Sequence, residues 1–122
     1  MEPTFIFKFS NHINKNKQTI GVFLWNVHPT TFARWKSGYW VYFQPTWSRR
    51  NDYYFGELHF VENRLRFDTI SHEILHAQIE WMWAYGDTIT RRNEEGFCTM
   101  NDAMVRNFLR ELKKVRPKMR LT

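Results

Sequence analysis

The chain has 122 residues, 43% of them hydrophobic and 18% aromatic, which is enough for one folded domain spanning residues 1–122. No apolar run approaches the 18–20 residues of a membrane span, so we expect no membrane protein. The net charge of +6 favours acidic partners such as nucleic acid or an acidic protein.

The first residues of the chain and its cysteine content indicate the compartment. Met1–Thr4 lacks a basic region, which predicts no signal peptide. The lone cysteine, Cys98, excludes an internal disulfide and is expected to be a small buried residue. Both features favour the cytoplasm.

Much of the positive charge lies near the C-terminus, in Arg110, Lys113, Lys114, Arg116, Lys118 and Arg120. Two interpretations stay open: a solvated tail that compensates a helix dipole, or a nucleic-acid patch.

The first half of the chain predicts two hairpins. Alternating and β-branched residues indicate strands at Thr4–Phe9 and Thr19–Trp25, joined by a polar loop over Asn11–Lys17. A short helix is expected over Thr30–Lys36. Two further strands follow, at Tyr39–Phe43 and Tyr53–Val61. In the last strand Leu58 and Phe60 are expected in the core, whereas His59 lies on the other face and is not predicted as a ligand.

The second half predicts two long helices. Asp68 is a good N-cap for a helix over about Thr69–Tyr85, and Gly86 a natural residue just beyond its end. Its buried side is predicted to contain Ile70, Ile74, Leu75, Gln78, Trp81, Met82 and Trp83. A last helix over about Thr90–Val115 has the apolar stripe Phe97, Met104, Phe108 and Leu112. The fold class is therefore α+β: a small antiparallel sheet of about four strands, with one short helix, packed on two C-terminal helices.

The first of these helices contains a metal-binding motif, H-E-x-x-H, at residues 72–76. Residues i and i+4 share one helix face, so His72 and His76 can bind one ion with nitrogens about 2.0–2.1 Å away. Glu73 lies about 100° round the helix, where it can act as general base toward a metal-bound water. The alternative is a surface helix with two solvated histidines.

A catalytic zinc usually has three protein ligands, so the motif needs one more. No histidine follows residue 76, so an Asp or Glu must serve if the ligand lies downstream, and the candidates are Asp87, Glu94, Glu95 and Asp102. Glu95 is preferred over Glu94. Gly96 follows it within a helix at a cost of about 0.8–1 kcal/mol relative to alanine, which a close approach of the two helices would explain. In the alternative, both glutamates simply favour a helix N-terminus.

Together these motifs resemble the gluzincin clan of zinc metallopeptidases. In its aminopeptidase branch, H-E-x-x-H is followed after eighteen residues by a glutamate in an N-E-G-F context. Residues 93–97 read N-E-E-G-F, with Glu94 as an extra residue, and eighteen residues separate His76 from Glu95. The segment that leads into the motif, Phe67–Glu73, also resembles the corresponding segment of small bacterial and phage-associated metallopeptidase-like domains. The resemblance covers roughly Gly56 to Phe108.

The resemblance implies a minimal zincin-like fold that binds Zn²⁺ through His72, His76 and Glu95, with Glu73 as the catalytic base and a peptide or protein as substrate. Where thermolysin-like members have an aspartate four residues after the ligand, this chain has Thr99. Asp102 is a weaker replacement, and no oxyanion-stabilising residue is assigned, Tyr85 being the nearest tyrosine in sequence. The strand at Gly56–Val61 is expected to be a sheet edge that accepts an extended peptide.

A second hypothesis is a small basic protein that uses zinc only to brace its fold and binds nucleic acid or a protein, with no peptidase activity. The N-terminal half interleaves tryptophans with cations, a mixture that suits stacking on single-stranded nucleic acid. The residues concerned are Trp25, Trp35, Trp40, Trp47, Arg34, Lys36, Arg49 and Arg50. Dense tryptophan in a hydrophobic core is the alternative explanation.

Overall fold

The computed structural model describes residues 4–13, 16–25, 41–45, 54–62, 65–84, 86 and 88–121. Within them the chain forms strands β1 (Thr4–Ile13), β2 (Asn16–Trp25), β3 (Val41–Pro45) and β4 (Tyr54–Val61), then helices α1 (Phe67–Ala84) and α2 (Glu94–Val115). The α+β class and the two C-terminal helices are confirmed. The short helix expected over Thr30–Lys36 lies outside the described residues. No described helix is long and apolar enough to cross a membrane.

The four strands form one mixed sheet in the order β1-β2-β4-β3. β1 pairs with β2 and β3 with β4 in antiparallel fashion, as two hairpins would, but β2 and β4 are parallel. The expected all-antiparallel sheet is therefore wrong. Parallel neighbours need a crossover connection, and the periodicity of the strands carries no information about where such a crossover leads.

The first hairpin is longer than expected. His12 pairs with Lys17 and Ile13 with Asn16, so the predicted loop over Asn11–Lys17 is wrong. Polar residues pair well in strands whose outer face meets water, because β-propensity depends on context more than on residue type.

Strand β4 is internal, which overturns its assignment as the edge of the sheet. Val22 of β2 pairs with Leu58 on one side, and Phe43 of β3 pairs with Leu58 on the other. With both rows of backbone groups occupied, β4 cannot accept a peptide by strand addition. The outer strands of the described sheet are β1 and β3.

Both helices pack on one face of this sheet, α2 against β1 and α1 against β3 and β4. Phe108 of α2 is at the centre of the core, with its ring centroid 5.1 Å from that of Phe7, 5.5 Å from that of Phe9 and 5.9 Å from that of Phe60. Leu58 and Phe60 are buried, as predicted. Edge-to-face contacts of this kind stabilise aromatic clusters beyond the area they bury.

Helix α1 begins at Phe67, and Asp68 is not its cap. Arg66 occupies the N-cap position, and Thr69 in the first turn bonds back to it: the Thr69 Oγ1 accepts a hydrogen bond from the Arg66 backbone N–H (3.1 Å) and donates one to the Arg66 carbonyl (3.0 Å). Asp68 lies inside the first turn, where its carboxylate accepts from the Thr69 N–H and suits the helix dipole. At the far end, Gly86 has φ +71°, the left-handed conformation expected of a glycine just after a helix.

The buried side of α1 is narrower than predicted. Most of the predicted residues are buried, but Leu75 is 40% exposed and Trp83 66% exposed. Each lies about 100° round the helix from a buried neighbour, Ile74 or Met82, and so points away from the sheet. These two exposed side chains leave apolar surface on the solvent side of α1.

A candidate metal centre on helix α1

His72 and His76 come together on the exposed side of α1. One helical turn separates them, and their Nε2 atoms are 3.2 Å apart. The two rings meet edge to face, with centroids 4.8 Å apart. Both side chains are exposed, so an ion can reach them from solvent.

The separation of the two nitrogens fits a shared metal ion. Two nitrogens that each lie 2.0–2.1 Å from a tetrahedral zinc are about 3.3–3.4 Å apart, close to the distance seen here. The same 3.2 Å also permits a direct hydrogen bond between the rings, one nitrogen donating and the other accepting. Imidazole suits zinc, copper, nickel and iron alike, so the pair by itself does not select one metal.

Glu73 completes this group from the buried side of the helix. Its side chain is only 5% exposed, and its carboxylate and the two imidazoles have ligand atoms that all lie within 4.8 Å of one another. A carboxylate this close to the imidazoles could bind an ion that they hold or take a proton from a water on that ion. Among the described residues, His72, Glu73 and His76 form the one group of this kind.

The structure does not bring Glu95 into the group, and Glu95 as a ligand stays a prediction. Its side chain is exposed in the first turn of α2, as is that of Glu94. Gln78 donates a hydrogen bond of 2.9 Å to the Phe97 carbonyl, which joins the start of α2 to α1. Gln78 lies about 160° round α1 from His76, so this junction is on the other side of the helix from the imidazoles.

The other acidic and aromatic candidates add no member to the group. Asp102 is exposed on α2, and Asp87 and Tyr85 lie outside the described residues. Thr99, at the position where the resemblance would place an aspartate, is also exposed.

Two expectations about the start of α2 are wrong. A Cβ added at Gly96 would meet nothing within 4 Å, so close approach of the helices does not explain this glycine. Cys98, expected to be a small buried residue, is exposed. The hydrogen bonds between the two helices at this point join Gln78 to other residues: Gln78 donates to the Phe97 carbonyl and accepts from the Asn101 amide.

Three side-chain amides, those of Gln78, Asn101 and Asn93, hold this region together. Gln78 is fully buried, and its Oε1 accepts a hydrogen bond from Asn101 Nδ2 at 2.5 Å. Asn93 accepts from the Thr90 N–H (2.7 Å) and donates to the Thr88 carbonyl (2.8 Å), which orders the turn before α2. A glutamine among apolar residues at helical spacing was the available signal for the first, because a buried amide needs a partner.

A second buried polar cluster lies on the face of the sheet away from the helices. His59 is 4% exposed, accepts a hydrogen bond from Trp25 Nε1 at Nδ1 (2.9 Å), and has Nε2 3.0 Å from Glu57 Oε1. Its ring stacks on that of Phe23, with centroids 4.9 Å apart. Because the indole N–H can only donate, Nδ1 must accept, and the proton of a neutral His59 lies on Nε2 toward Glu57.

This cluster predicts that acid weakens the fold. Burial lowers the pKa of His59 below its ordinary 6.5, against the smaller raising effects of the Glu57 hydrogen bond and charge. The unfolded chain therefore binds more protons, and the stability present above pH 6.5 is lost as the pH falls through the folded-state pKa. Urea unfolding at pH 7.5 and 5.5 should show the loss in the wild type and a smaller one in His59→Gln. Equal losses in both proteins would assign the effect to other groups.

Comparisons with known proteins returned no match, whether against protein-family models, curated proteins or solved structures. Functional assignment of this chain therefore depends on the geometry of the α1 group.

Proposed function

We propose that the chain is a zinc-dependent metallopeptidase of gluzincin type on a minimal zincin-like fold. The observation that supports this most is the pair of Nε2 atoms of His72 and His76, 3.2 Å apart, with the Glu73 carboxylate beside them. Two neutral imidazoles and a base on one helix are the parts that zinc-dependent hydrolysis needs.

The three residues have different roles in this proposal. His72 and His76 would hold the ion, and a zinc ion so held would supply a Lewis acid that makes water a nucleophile near neutral pH. Glu73 takes the proton of the attacking water and returns it to the leaving amine. Burial suits Glu73 to this work, because a buried side chain can take up fewer positions than an exposed one.

The substrate would lie along β3 rather than β4. Among the described strands, β3 is the outer one on the side of α1, and α1 packs against it. An extended peptide could add by backbone hydrogen bonds to the outer edge of β3, where no other described strand pairs, the mode first expected for β4. A peptide bound in this way would lie beside β3, the strand against which the helix with the two histidines packs.

Zinc binding tests the ligand set. We expect His72→Ala and His76→Ala each to weaken zinc binding by about 100-fold or more, because even partners outside the ligand set cost 10–100-fold. If Glu95 is the third ligand, as the gluzincin resemblance implies, Glu95→Ala should weaken it by at least about 10-fold. Its matched control is Glu94→Ala, which removes a neighbouring exposed carboxylate and should change the affinity less than about twofold. Competition with a chromophoric chelator measures all four affinities against wild type.

The outcomes separate the parts of the proposal. Unchanged affinity in both histidine variants would remove the metal site altogether. Equal effects of Glu94→Ala and Glu95→Ala would leave the two histidines as ligands but reject Glu95 as the third.

A further inference from the structure

An open apolar cavity of about 250 Å³ lies where α1 begins and α2 ends. Phe67 of α1 and Leu109 and Leu112 of α2 line it, and the C-terminal segment contributes Met119 and Leu121. Phe67 is half exposed there, so part of this apolar lining faces solvent. Lys113 and Arg116 also line the cavity, so two positively charged side chains lie beside its apolar wall.

Some of the cations near this cavity form ion pairs and others do not. Lys114 pairs with Glu111 at 3.0 Å, and Arg66 pairs with Asp68 at 3.2 Å. Among the described residues neither Lys113 nor Arg116 forms an ion pair. Both side chains line the same cavity, so the two positive charges can act on one anion.

The cavity is distinct from the metal centre. Phe67 precedes His72 by five residues, which places it about 7.5 Å away along α1 and about 140° round the helix. A ligand here would not contact the imidazoles, and the cavity does not depend on the proposed peptidase activity.

The size and charge of the cavity define its ligand. A protein cavity of about 150 Å³ holds benzene, so this one has room for a single aromatic or branched aliphatic group. Arginine binds a carboxylate with two parallel hydrogen bonds, and lysine adds a point charge. The ligand therefore combines one apolar group with a carboxylate a few ångströms away, and the C-terminal residue of a peptide has both on one Cα.

We propose that this cavity binds the C-terminal residue of a peptide, with its apolar side chain against Phe67 and Leu112 and its α-carboxylate between Lys113 and Arg116. The matched probes are N-acetyl-phenylalanine and its neutral amide, which differ only in the charge of the terminal group. In low salt, NMR titration of the ¹⁵N-labelled chain should show the carboxylate binding at least about fivefold more tightly, with shifts at the cavity residues.

A pair of double variants assigns this preference to the two cations. Lys113→Met with Arg116→Met keeps apolar stems but removes both charges, and should reduce the preference for the carboxylate to less than twofold. Lys114→Met with Lys118→Met changes the net charge equally and should preserve it. The comparison of the two probes needs only the wild-type chain, so it remains decisive if a variant fails to fold.

Three results would overturn the proposal: no shifts at the cavity with either probe, equal affinity for the acid and the amide, or an equal loss of preference in both double variants. A third probe, octanoate, tests the other source of a carboxylate on an apolar group. If octanoate binds in the cavity more tightly than N-acetyl-phenylalanine, the natural ligand is a fatty acid and the peptide assignment is wrong.

Discussion

Glu73→Gln is expected to lower the rate of peptide hydrolysis by at least about 100-fold while leaving zinc content unchanged. General bases contribute about 10²–10⁴-fold, and glutamine keeps the shape of glutamate without its ability to take a proton. Because Glu73 is buried beside the imidazoles and lies outside the proposed ligand set, its replacement should spare the metal. Mass spectrometry of a digested peptide library measures turnover, and elemental analysis measures zinc.

The matched control is Glu80→Gln, a half-buried glutamate on the same helix, which should retain activity. A Glu73→Gln protein that cleaves as fast as wild type would contradict the mechanism. A wild-type protein that holds zinc but cleaves no peptide would instead support the alternative, a basic protein braced by zinc that binds nucleic acid or a protein partner.

Phe108→Ala is expected to destabilise the fold by about 3–5 kcal/mol, the cost of truncating a buried aromatic ring. The Phe108 side chain is fully buried and contacts rings on β1 and β4, so its loss opens a void between α2 and both halves of the sheet. A domain of this size has a total stability of about 5–15 kcal/mol, so the variant would be partly unfolded at modest urea concentrations.

Urea unfolding followed by circular dichroism measures the change. Val115→Ala on the same helix is the control, because Val115 is exposed and its truncation should cost less than about 1 kcal/mol. A loss below about 1 kcal/mol for Phe108→Ala would mean that the aromatic cluster is not the main contact between α2 and the sheet.

Local patterns predicted the elements of this fold better than their arrangement. Apolar alternation located β1, β2 and β4, and helical spacing located α1 and α2 within a few residues at most ends. Each pattern reports which side of an element is buried, but not which element lies on that side. The parallel pairing of β2 with β4 arises from the crossover between them, and this is why the edge of the sheet was assigned to the wrong strand.

The candidate site likewise has one part that local sequence predicted and another that depends on how the two helices pack. The convergence of His72 and His76 was predictable because one helix alone sets the distance between residues i and i+4. The position of Glu95 depends instead on how α2 meets α1, and that contact is made through Gln78 and Asn101, two amides in otherwise helical patterns. The Trp25–His59 hydrogen bond was hidden for a similar reason, since its partners lie 34 residues apart on different strands.

The parallel pairing of β2 and β4 also bears on how the chain folds. β1 and β2 are joined by two residues, so this hairpin can form within microseconds. The pairing of β4 with β2 joins parts of the chain that are much further apart, since Trp25 pairs with Val61, 36 residues later. Closing such a loop costs entropy before any contact compensates for it, which slows folding. We therefore expect refolding in two stages, an early hairpin and a later docking of β4 that assembles the sheet beneath the histidine pair.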